Sequence, residues 1–323
     1  MKEYPDAATG AWPARRSRHS AVLFPDGPNH MVVFGGQDSA GIALGDLWIG
    51  TRHLDSLGSW LWQKLSLSGG PSARWGHTAV YDPGHASVKP RMLVFGGRNA
   101  DGVIASDEVW ALKLDPWPAW SVVSLGSGAK PDPREGHVAI FDPNARDFGS
   151  GDKRVRMLIF GGEKDSVRND IWELWRPSQP STEPTYTWKE LTPSAGPTPR
   201  TQAAAVHDLN WNCMVVLGGD TNGASAGGYT AENWMFRLNL ASQGKPATQW
   251  WVPPPKDYAE HEDGPPRRQM SAIYDSRFKI ARYPERYTPS WSGGTGAWST
   301  FEQAGRWQTD YPFMFLIPSG KLV

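Results

Sequence analysis

The chain has 323 residues, enough to bury a large core, and its 33 basic side chains balance 33 acidic ones. A net charge of zero argues against a protein that binds nucleic acid or an anionic membrane surface. The 18 tryptophans, 35 glycines and 28 prolines favour short strands joined by turns over helices.

No targeting or membrane-spanning segment is predicted from the sequence. The start MKEYPDAATG places Pro5 and Asp6 where a signal peptide needs an apolar run, and no run of about 18 apolar residues occurs. Cys213 is the only cysteine, which excludes an internal disulfide and leaves the compartment undetermined.

Four sequence markers recur in the same order along the chain. A Pro-x-x-Arg motif comes first, then an apolar run ended by Gly-Gly, then an acid two residues before a tryptophan, and last a second tryptophan in an apolar run. The acid-x-Trp tryptophans lie 62 residues apart, from 48 to 110, from 110 to 172 and from 172 to 234. The arginines are Arg16, Arg74, Arg134 and Arg200, and the glycine pairs are Gly35-Gly36, Gly96-Gly97, Gly161-Gly162 and Gly218-Gly219.

Each copy of this unit predicts four short strands, because its apolar, β-branched and aromatic runs are bounded by Gly, Pro, Asn and Asp. In the second copy these runs are 77–81, 92–95, 108–114 and 120–123. No part of the chain has helical spacing beyond a turn or two. Four strands in a repeat of this length are the signature of a propeller blade. We expect the blades at about 13–66, 71–125, 131–192 and 197–253.

The chain after residue 253 predicts less regular structure. Arg267 is a fifth, weaker copy of the arginine marker, and the strand-like stretch MSAIYDS follows it without a Gly-Gly pair. Residues 285–287 and 298–301 are candidates for further strands of a degenerate fifth blade at 264–302. The stretch YPFMFLIPSGKLV predicts the start of another blade at 303–323, so we expect a propeller that is incomplete at its C-terminal end.

Together, the markers resemble the kelch repeat, in four copies over residues 13–253. The resemblance implies an all-β fold, a kelch-type β-propeller that forms a single domain over residues 1–323. Residues that recur in every copy are expected to serve the blade, with Gly-Gly allowing positive φ, tryptophans filling the space between blades and arginines pairing with acids. For His19, His77 and His137, three residues after the first three arginines, we expect hydrogen-bonded structural roles and no metal.

In kelch propellers that bind peptides, the ligand lies over one mouth of the central channel. The resemblance therefore implies a ligand- or protein-binding scaffold without catalysis of its own. The residues after Gly-Gly differ between copies, as a binding surface requires, whereas the arginines either bind an anionic group or pair with blade acids. Among these residues Arg98 is expected to be dispensable for stability. The predicted contact residues are Arg16, Gln37, Asp38, Arg74, Arg98, Asn99, Arg134, Glu163, Lys164, Arg200, Asp220, Asn222 and Arg267.

Two alternatives stay open at this point. The stretch from Tyr311 resembles a blade opening of galactose-oxidase-like propellers, which implies the propeller portion of a copper radical oxidase whose catalytic residues lie beyond Val323. No cofactor is expected for this chain itself, copper would enter only in that case, and Cys213 is expected to be a small buried hydrophobe. The weaker alternative is a carbohydrate-binding propeller, because Trp75 or Trp117 is able to stack on a sugar.

Overall fold

The computed structural model describes residues 12–25, 30–52, 60–85, 87–147, 153–193, 195–209, 211–223, 228–230, 232–238 and 249–252, and the backbone of four short strands beyond them. Strands are the regular elements of this part of the chain, which confirms the all-β prediction. Within these residues no helix is long and apolar enough to cross a membrane.

Each of the four predicted copies forms one four-stranded sheet, and we call these sheets blades 1 to 4. Neighbouring strands in the sequence are neighbours in each sheet, and the pairs in blades 1, 2 and 4 are antiparallel. Blade 1 contains β1 (Ser20–Phe24), β2 (His30–Phe34), β3 (Leu47–Arg52) and β4 (Trp60–Leu65). Blade 2 contains β6 (Thr78–Asp82), β7 (Arg91–Phe95), β9 (Val109–Lys113) and β10 (Ala119–Val122), while β5 (Arg74–Trp75) and β8 (Arg98–Asn99) form a separate two-residue ribbon. Blade 3 contains β11 (Val138–Asp147), β12 (Lys153–Phe160), β13 (Ile171–Pro177) and β14 (Thr187–Leu191), and blade 4 contains β15 (Ala204–Asp208), β16 (Cys213–Leu217), β17 (Asn233–Arg237) and β18 (Trp250–Trp251).

The Gly-Gly pairs directly follow the second strand of each blade, as the sequence predicts. In blade 2 each observed strand end differs from the predicted one by at most one residue. The second strands β2, β7 and β16 are buried at every position, since a strand in the middle of a covered sheet has no solvent face. Strand β1, at one edge of its sheet, alternates between buried and partly buried residues because successive side chains point to opposite faces of the sheet.

Four short strands lie beyond residue 252. β19 (Ile273–Asp275) pairs with β20 (Ile280–Arg282), and β21 (Arg286–Thr288) pairs with β22 (Ala297–Ser299). Strand β19 lies in the predicted MSAIYDS stretch, and both β19 and β20 lie beside β15 of blade 4. β21 and β22 overlap the two predicted later strands, whereas β20 was not predicted. Arg267 and residues 303–323 lie outside the described residues, so the predicted fifth blade, the further blade and the single-domain boundary stay predictions.

The chain divides into two compact units. The first comprises Met1–Glu135, Pro143–Met157 and Glu173–Lys189, and the second comprises Gly136–Asp142, Leu158–Trp172 and Glu190–Val323. The core of the first unit joins blades 1 and 2, because Phe24 and Phe34 pack in one cluster with Met92 and Leu112. The second unit has a cluster of the same kind, with members that include Leu158, Phe160, Met214, Val216 and Phe236.

Tryptophans of the fourth strands pack between blades, as predicted. Trp120, Trp188 and Trp250 each contact the phenylalanine that ends the second strand of the preceding blade. Such aromatic pairs at tilted or edge-on angles add to the stabilisation that burial alone provides. The ring centroids are 5.2 Å apart for Phe34 and Trp120, 5.2 Å for Phe95 and Trp188, and 4.8 Å for Phe160 and Trp250.

The tryptophans of the acid-x-Trp triplets are buried to different degrees. Trp48 and Trp172 are each 6% exposed, as predicted. Trp110 is only partly buried, although it packs against the core of the first unit. Trp110 therefore meets the prediction that these tryptophans fill the space between blades less completely than Trp48 and Trp172 do.

Candidate functional site

The arginines of the Pro-x-x-Arg motif lie buried at the Gly-Gly end of the blades, and we call them the seam arginines. In blades 1, 2 and 4 the guanidinium Nη1 donates to the carbonyl of the first glycine of the same blade, over 3.0 Å each time. The backbone carbonyl of a seam arginine accepts a bond from the second glycine of the preceding blade. These distances are 2.8 Å for Gly36 to Arg74, 2.8 Å for Gly97 to Arg134 and 2.9 Å for Gly162 to Arg200. The repeated arginine and glycines thus join consecutive blades.

Two seam arginines also pair with the acid of their own blade. Arg16 donates to Asp46 over 2.5 and 2.8 Å, and Asp46 also accepts a 2.6 Å bond from the indole of Trp48. In blade 4, Arg200 donates to Glu232 over 2.6 Å. Arg16, Arg74, Arg134 and Arg200 are at most 5% exposed, so a ligand reaches their guanidinium groups only by displacing these contacts. Their predicted role in ligand binding stays a prediction.

In blades 1, 2 and 4 the residue after the seam arginine pairs with the residue after Gly-Gly, and we call these two positions in each copy the ribbon positions. Ser17 exchanges two backbone hydrogen bonds with Gln37, both 2.9 Å. Trp75 pairs with Arg98 where β5 meets β8, and Thr201 pairs with Asp220. The structure thereby places two variable side chains of one blade next to each other. The ribbon positions are Ser17, Gln37, Trp75, Arg98, Glu135, Glu163, Thr201 and Asp220.

A charged and aromatic cluster lies at the ribbon positions of the first unit. The guanidinium carbons of Arg18 and Arg98 lie 4.7 and 5.7 Å from the ring centroid of Trp75, within reach of cation–π attraction. Arg98 donates to Glu135 over 2.6 Å, and Arg18 lies 3.9 Å from the same carboxylate. We call Arg18, Trp75, Arg98 and Glu135 the Trp75 cluster. It brings together residues of three consecutive copies of the repeat.

This geometry corrects the expectation that Arg98 is dispensable for stability. The side chain of Arg98 is 26% exposed, but that of Glu135 is only 7% exposed. Removing Arg98 would leave a nearly buried carboxylate with less compensation, which is more costly than losing a surface charge.

Asp38 and Asn99 hold the loops that follow their ribbon positions. The Asp38 carboxylate accepts backbone bonds from Ala40 and Ile42, both 2.9 Å. The side-chain amide oxygen of Asn99 likewise accepts backbone N–H bonds from Asp101 and Val103, over 3.1 and 2.9 Å. Each loop presents one apolar tip to solvent, and these tips are Ile42, 60% exposed, and Val103, 59% exposed.

The predicted site residues of the second unit include two buried acids. Glu163 and Asp220 are buried, at 9% and 0% exposure, whereas Lys164 and Asn222 are exposed. Asp220 accepts a 3.0 Å bond from the backbone of Asn222. The two buried acids therefore offer less surface to a ligand than the Trp75 cluster does.

One of the recurring histidines, His77, packs between blades 1 and 2. His77 shares a 2.8 Å hydrogen bond with the hydroxyl of Ser20, and its ring lies 5.2 Å from that of Phe34. Burial, and then the charge of Arg16, lower the pKa of His19 to about 3, so His19 is neutral at neutral pH. Among the described residues no group of His, Cys, Asp and Glu is arranged to hold a metal ion.

Cys213 lies in β16 and is fully buried. Burial, followed by the charge of Asp208, raises the pKa of its thiol well above the ordinary value. The thiol is therefore protonated and shielded, as expected of a small core residue.

The family model described as the KLHDC2/KLHL20/DRC7 Kelch-repeats domain matches residues 5–174. The chain belongs to this kelch-repeat family. Its four blades are those of a kelch-type β-propeller, which confirms the fold predicted from the repeats.

Kelch proteins of known sequence resemble the chain over part of their length. An F-box/kelch-repeat protein of Arabidopsis thaliana is 28% identical over 251 residues, which is 71% of this chain and 48% of that protein. The Rab9 effector protein with kelch motifs of Gallus gallus is 31% identical over 154 residues, 47% of this chain and 38% of that protein. The chain thus spans about half or less of the curated relatives that it matches.

Among solved structures, the chain described as "Structure of YjhT" superposes with a TM-score of 0.54 at 14% identity, covering 88% of this chain and 80% of that chain. At this level of identity the similarity concerns the fold alone.

Proposed function

We propose that this kelch protein is a protein-interaction scaffold whose partner binds at the Trp75 cluster. The observation that carries the proposal is the position of Trp75 and Arg98. The two residues are paired and partly exposed. Each of the other blades has different residue types at these two positions. Similarity to a protein named as a Rab9 effector supports a role in protein association.

The chemistry of the cluster favours a partner with an acidic side chain. Arg18 and Arg98 present guanidinium groups that bind carboxylates through paired hydrogen bonds, and the indole of Trp75 adds apolar area. Glu135 already satisfies part of this charge, so an incoming carboxylate competes with it. We therefore expect the strongest binding from peptides that combine an acidic residue with an apolar one. The acidic residue would pair with the arginines, and the apolar residue would contact Ile42 or Val103.

A peptide array tests this proposal. Each acidic peptide is printed beside a copy in which its Asp and Glu are replaced by Asn and Gln. We expect binding to the acidic copies, and a loss of at least about tenfold in Trp75→Ala, since aromatic residues dominate interface energies.

Lys89→Ala is the matched control for the array. Lys89 belongs to the same unit, is exposed and lies at no ribbon position. Equal binding of the acidic and amide copies would contradict the choice of ligand. Full binding by a folded Trp75→Ala variant would contradict the site.

The oxidase and carbohydrate alternatives receive less support. Cys213 is a buried core residue, and Tyr311 lies outside the described residues, so nothing in the described part adds to the resemblance that suggested copper. Trp117 is 78% exposed, which suits sugar stacking but needs no ligand, because single exposed apolar residues are common.

A further inference from the structure

Blade 2 departs from a hydrogen-bond pattern that the other blades share. In blades 1, 3 and 4 the acid of the acid-x-Trp triplet accepts the indole N–H of its own tryptophan, over 2.6 Å for Trp48, 2.8 Å for Trp172 and 3.1 Å for Trp234. In blade 2 the equivalent Glu108 accepts a 2.8 Å bond from the hydroxyl of Ser106. Its carboxylate is therefore turned toward solvent.

Two buried donors next to Glu108 lack the carboxylate partner that their counterparts in blade 4 have. Within the described residues, the buried indole nitrogen of Trp110 has no hydrogen-bond acceptor. Arg74 is 3% exposed, and its Nη2 donates to Ser72 over 3.2 Å without an acid partner in the described part. Burial lowers the pKa of Arg74 to about 10, against the opposing charge of Glu108. Buried donors without acceptors, and a buried charge without a counter-charge, are both unfavourable.

Blade 4 shows that a glutamate at this position is long enough to satisfy both donors. Glu232 accepts from the seam arginine Arg200 over 2.6 Å and from Trp234 over 3.1 Å. The corresponding donors in blade 2 are Arg74 and Trp110. A rotation of the Glu108 side chain would give blade 2 the same arrangement.

We propose that Glu108 is a two-position carboxylate, outward on Ser106 or inward on Arg74 and Trp110, and that the Ser106 hydroxyl sets the balance between the two. The inference goes beyond the proposed function, since it needs no ligand. Ser106 directly follows the loop of residues 98–105, whose end is fixed by a 2.7 Å hydrogen bond from the Ala105 amide to the Gly97 carbonyl.

Indole N–H resonances of protein labelled with 15N-tryptophan report this switch directly. The Trp110 resonance is assigned with Trp110→Phe, and the resonances of Trp48 and Trp172 serve as references for carboxylate-bonded indoles. Ser106→Ala removes the outward partner. Glu108→Asp copies the triplets of blades 1 and 3. In both variants we expect the Trp110 resonance to move downfield toward the references. Its hydrogen exchange should slow about tenfold, as for a hydrogen bond to a charged group.

Glu108→Ala is expected to leave the Trp110 resonance where the wild type has it, because the outward carboxylate does not contact that indole. Glu232→Ala in blade 4 is the matched control, and the Trp234 resonance should move upfield when its bond is lost. An unchanged Trp110 resonance in both Ser106→Ala and Glu108→Asp would overturn the inward position. An upfield shift in Glu108→Ala without any change in Ser106→Ala would overturn the outward one. Unshifted Trp48 and Trp172 resonances establish that a variant is folded. If Glu108→Asp does not fold, the Trp110 resonance of Ser106→Ala alone decides whether the inward position exists.

Discussion

Asp46 shows at the scale of one residue why the acid is repeated in every copy. Its carboxylate accepts bonds from both Arg16 and Trp48, and so fixes the seam arginine and the buried indole at once. Burial opposes its charge, but the hydrogen bonds from Arg16 and Trp48 outweigh burial and hold the pKa of Asp46 below its ordinary value.

The lowered pKa of Asp46 predicts a pH dependence of stability. A carboxyl whose folded pKa lies below the unfolded value of about 3.9 stabilises the fold above that pH, and the contribution is lost as pH falls through the folded pKa. Urea titrations at pH 6, 4 and 3 should therefore show a smaller acid-induced loss of unfolding free energy in Asp46→Asn than in wild type. Equal losses in the two proteins would mean that Asp46 does not carry this contribution.

Residue roles that repeat were predictable, and roles that occur once were not. The pairing of seam arginines with acids follows from their recurrence in every copy. Arg18 has a φ of 54°, and the second and third copies place Gly76 and Gly136 there, so these glycines indicated left-handed backbone at the position. The hydrogen bond from Arg98 to Glu135 joins two different copies of the repeat, and no local sequence pattern predicts it.

At the scale of the element, the glycine pair ends each second strand because the next blade leaves no room for a side chain. Gly35 has a φ of +65°, and a Cβ there would lie 2.6 Å from the carbonyl oxygen of Arg74. That oxygen is the acceptor of the seam bond from Gly36 and has little freedom to move.

Gly35→Ala should therefore be markedly destabilising. Left-handed backbone alone costs a non-glycine residue about 1–2 kcal/mol, and the clash adds a packing penalty of about 1–3 kcal/mol. Gly41→Ala is the matched control, since Gly41 has a φ of +80° and a Cβ there would meet nothing within 4 Å. Chemical denaturation should place Gly35→Ala clearly below Gly41→Ala in stability. Equal stabilities would remove the close approach as the reason for glycine.

Strands with an apolar, periodic pattern were found from the sequence to within one residue in blade 2. The ribbon of β5 and β8 was not, because two residues carry no periodicity and their pairing depends on the turn at Gly76 and Gly97. The candidate site was consequently predicted in part. Gln37, Arg98 and Asn99 were named, whereas Arg18 and the loop tips Ile42 and Val103 were missed.

At the scale of the whole molecule, side chains far apart in sequence hold the blades together. Within the first unit, the buried carboxylate of Asp82 in blade 2 accepts bonds from Arg176 over 2.9 and 2.5 Å and from the hydroxyl of Tyr186 over 2.8 Å. The backbone of Gly84 supplies another bond of 2.9 Å. Such a buried pair is stable because its remaining hydrogen-bonding capacity is satisfied.

Asp82→Ala should cost about 3–5 kcal/mol of unfolding free energy, because it leaves the buried Arg176 without its partner. Lys130→Ala, which breaks the exposed pair with Asp107, should cost at most about 1 kcal/mol. Denaturant titrations of both variants measure the difference. A loss in Asp82→Ala as small as that in Lys130→Ala would show that this network does not hold the blades.

The number of clear blades and the propeller class were predictable because the same sequence markers occur in four copies. The Asp82 network was not, since its partners lie 94 and 104 residues away and belong to no repeated marker. Tertiary contacts of this kind are specific to one pair of blades.

The seam bonds have a genetic consequence. Each repeat brings one carbonyl acceptor, on its arginine, and one amide donor, on its second glycine, and at the three junctions that the structure describes the donor bonds to the acceptor of the following copy. A stretch that runs from one seam arginine to the residue before the next, such as 74–133, is therefore a complete cassette with one connector of each kind. Tandem duplication of such a cassette inserts a copy whose two connectors match its new neighbours without any compensating mutation.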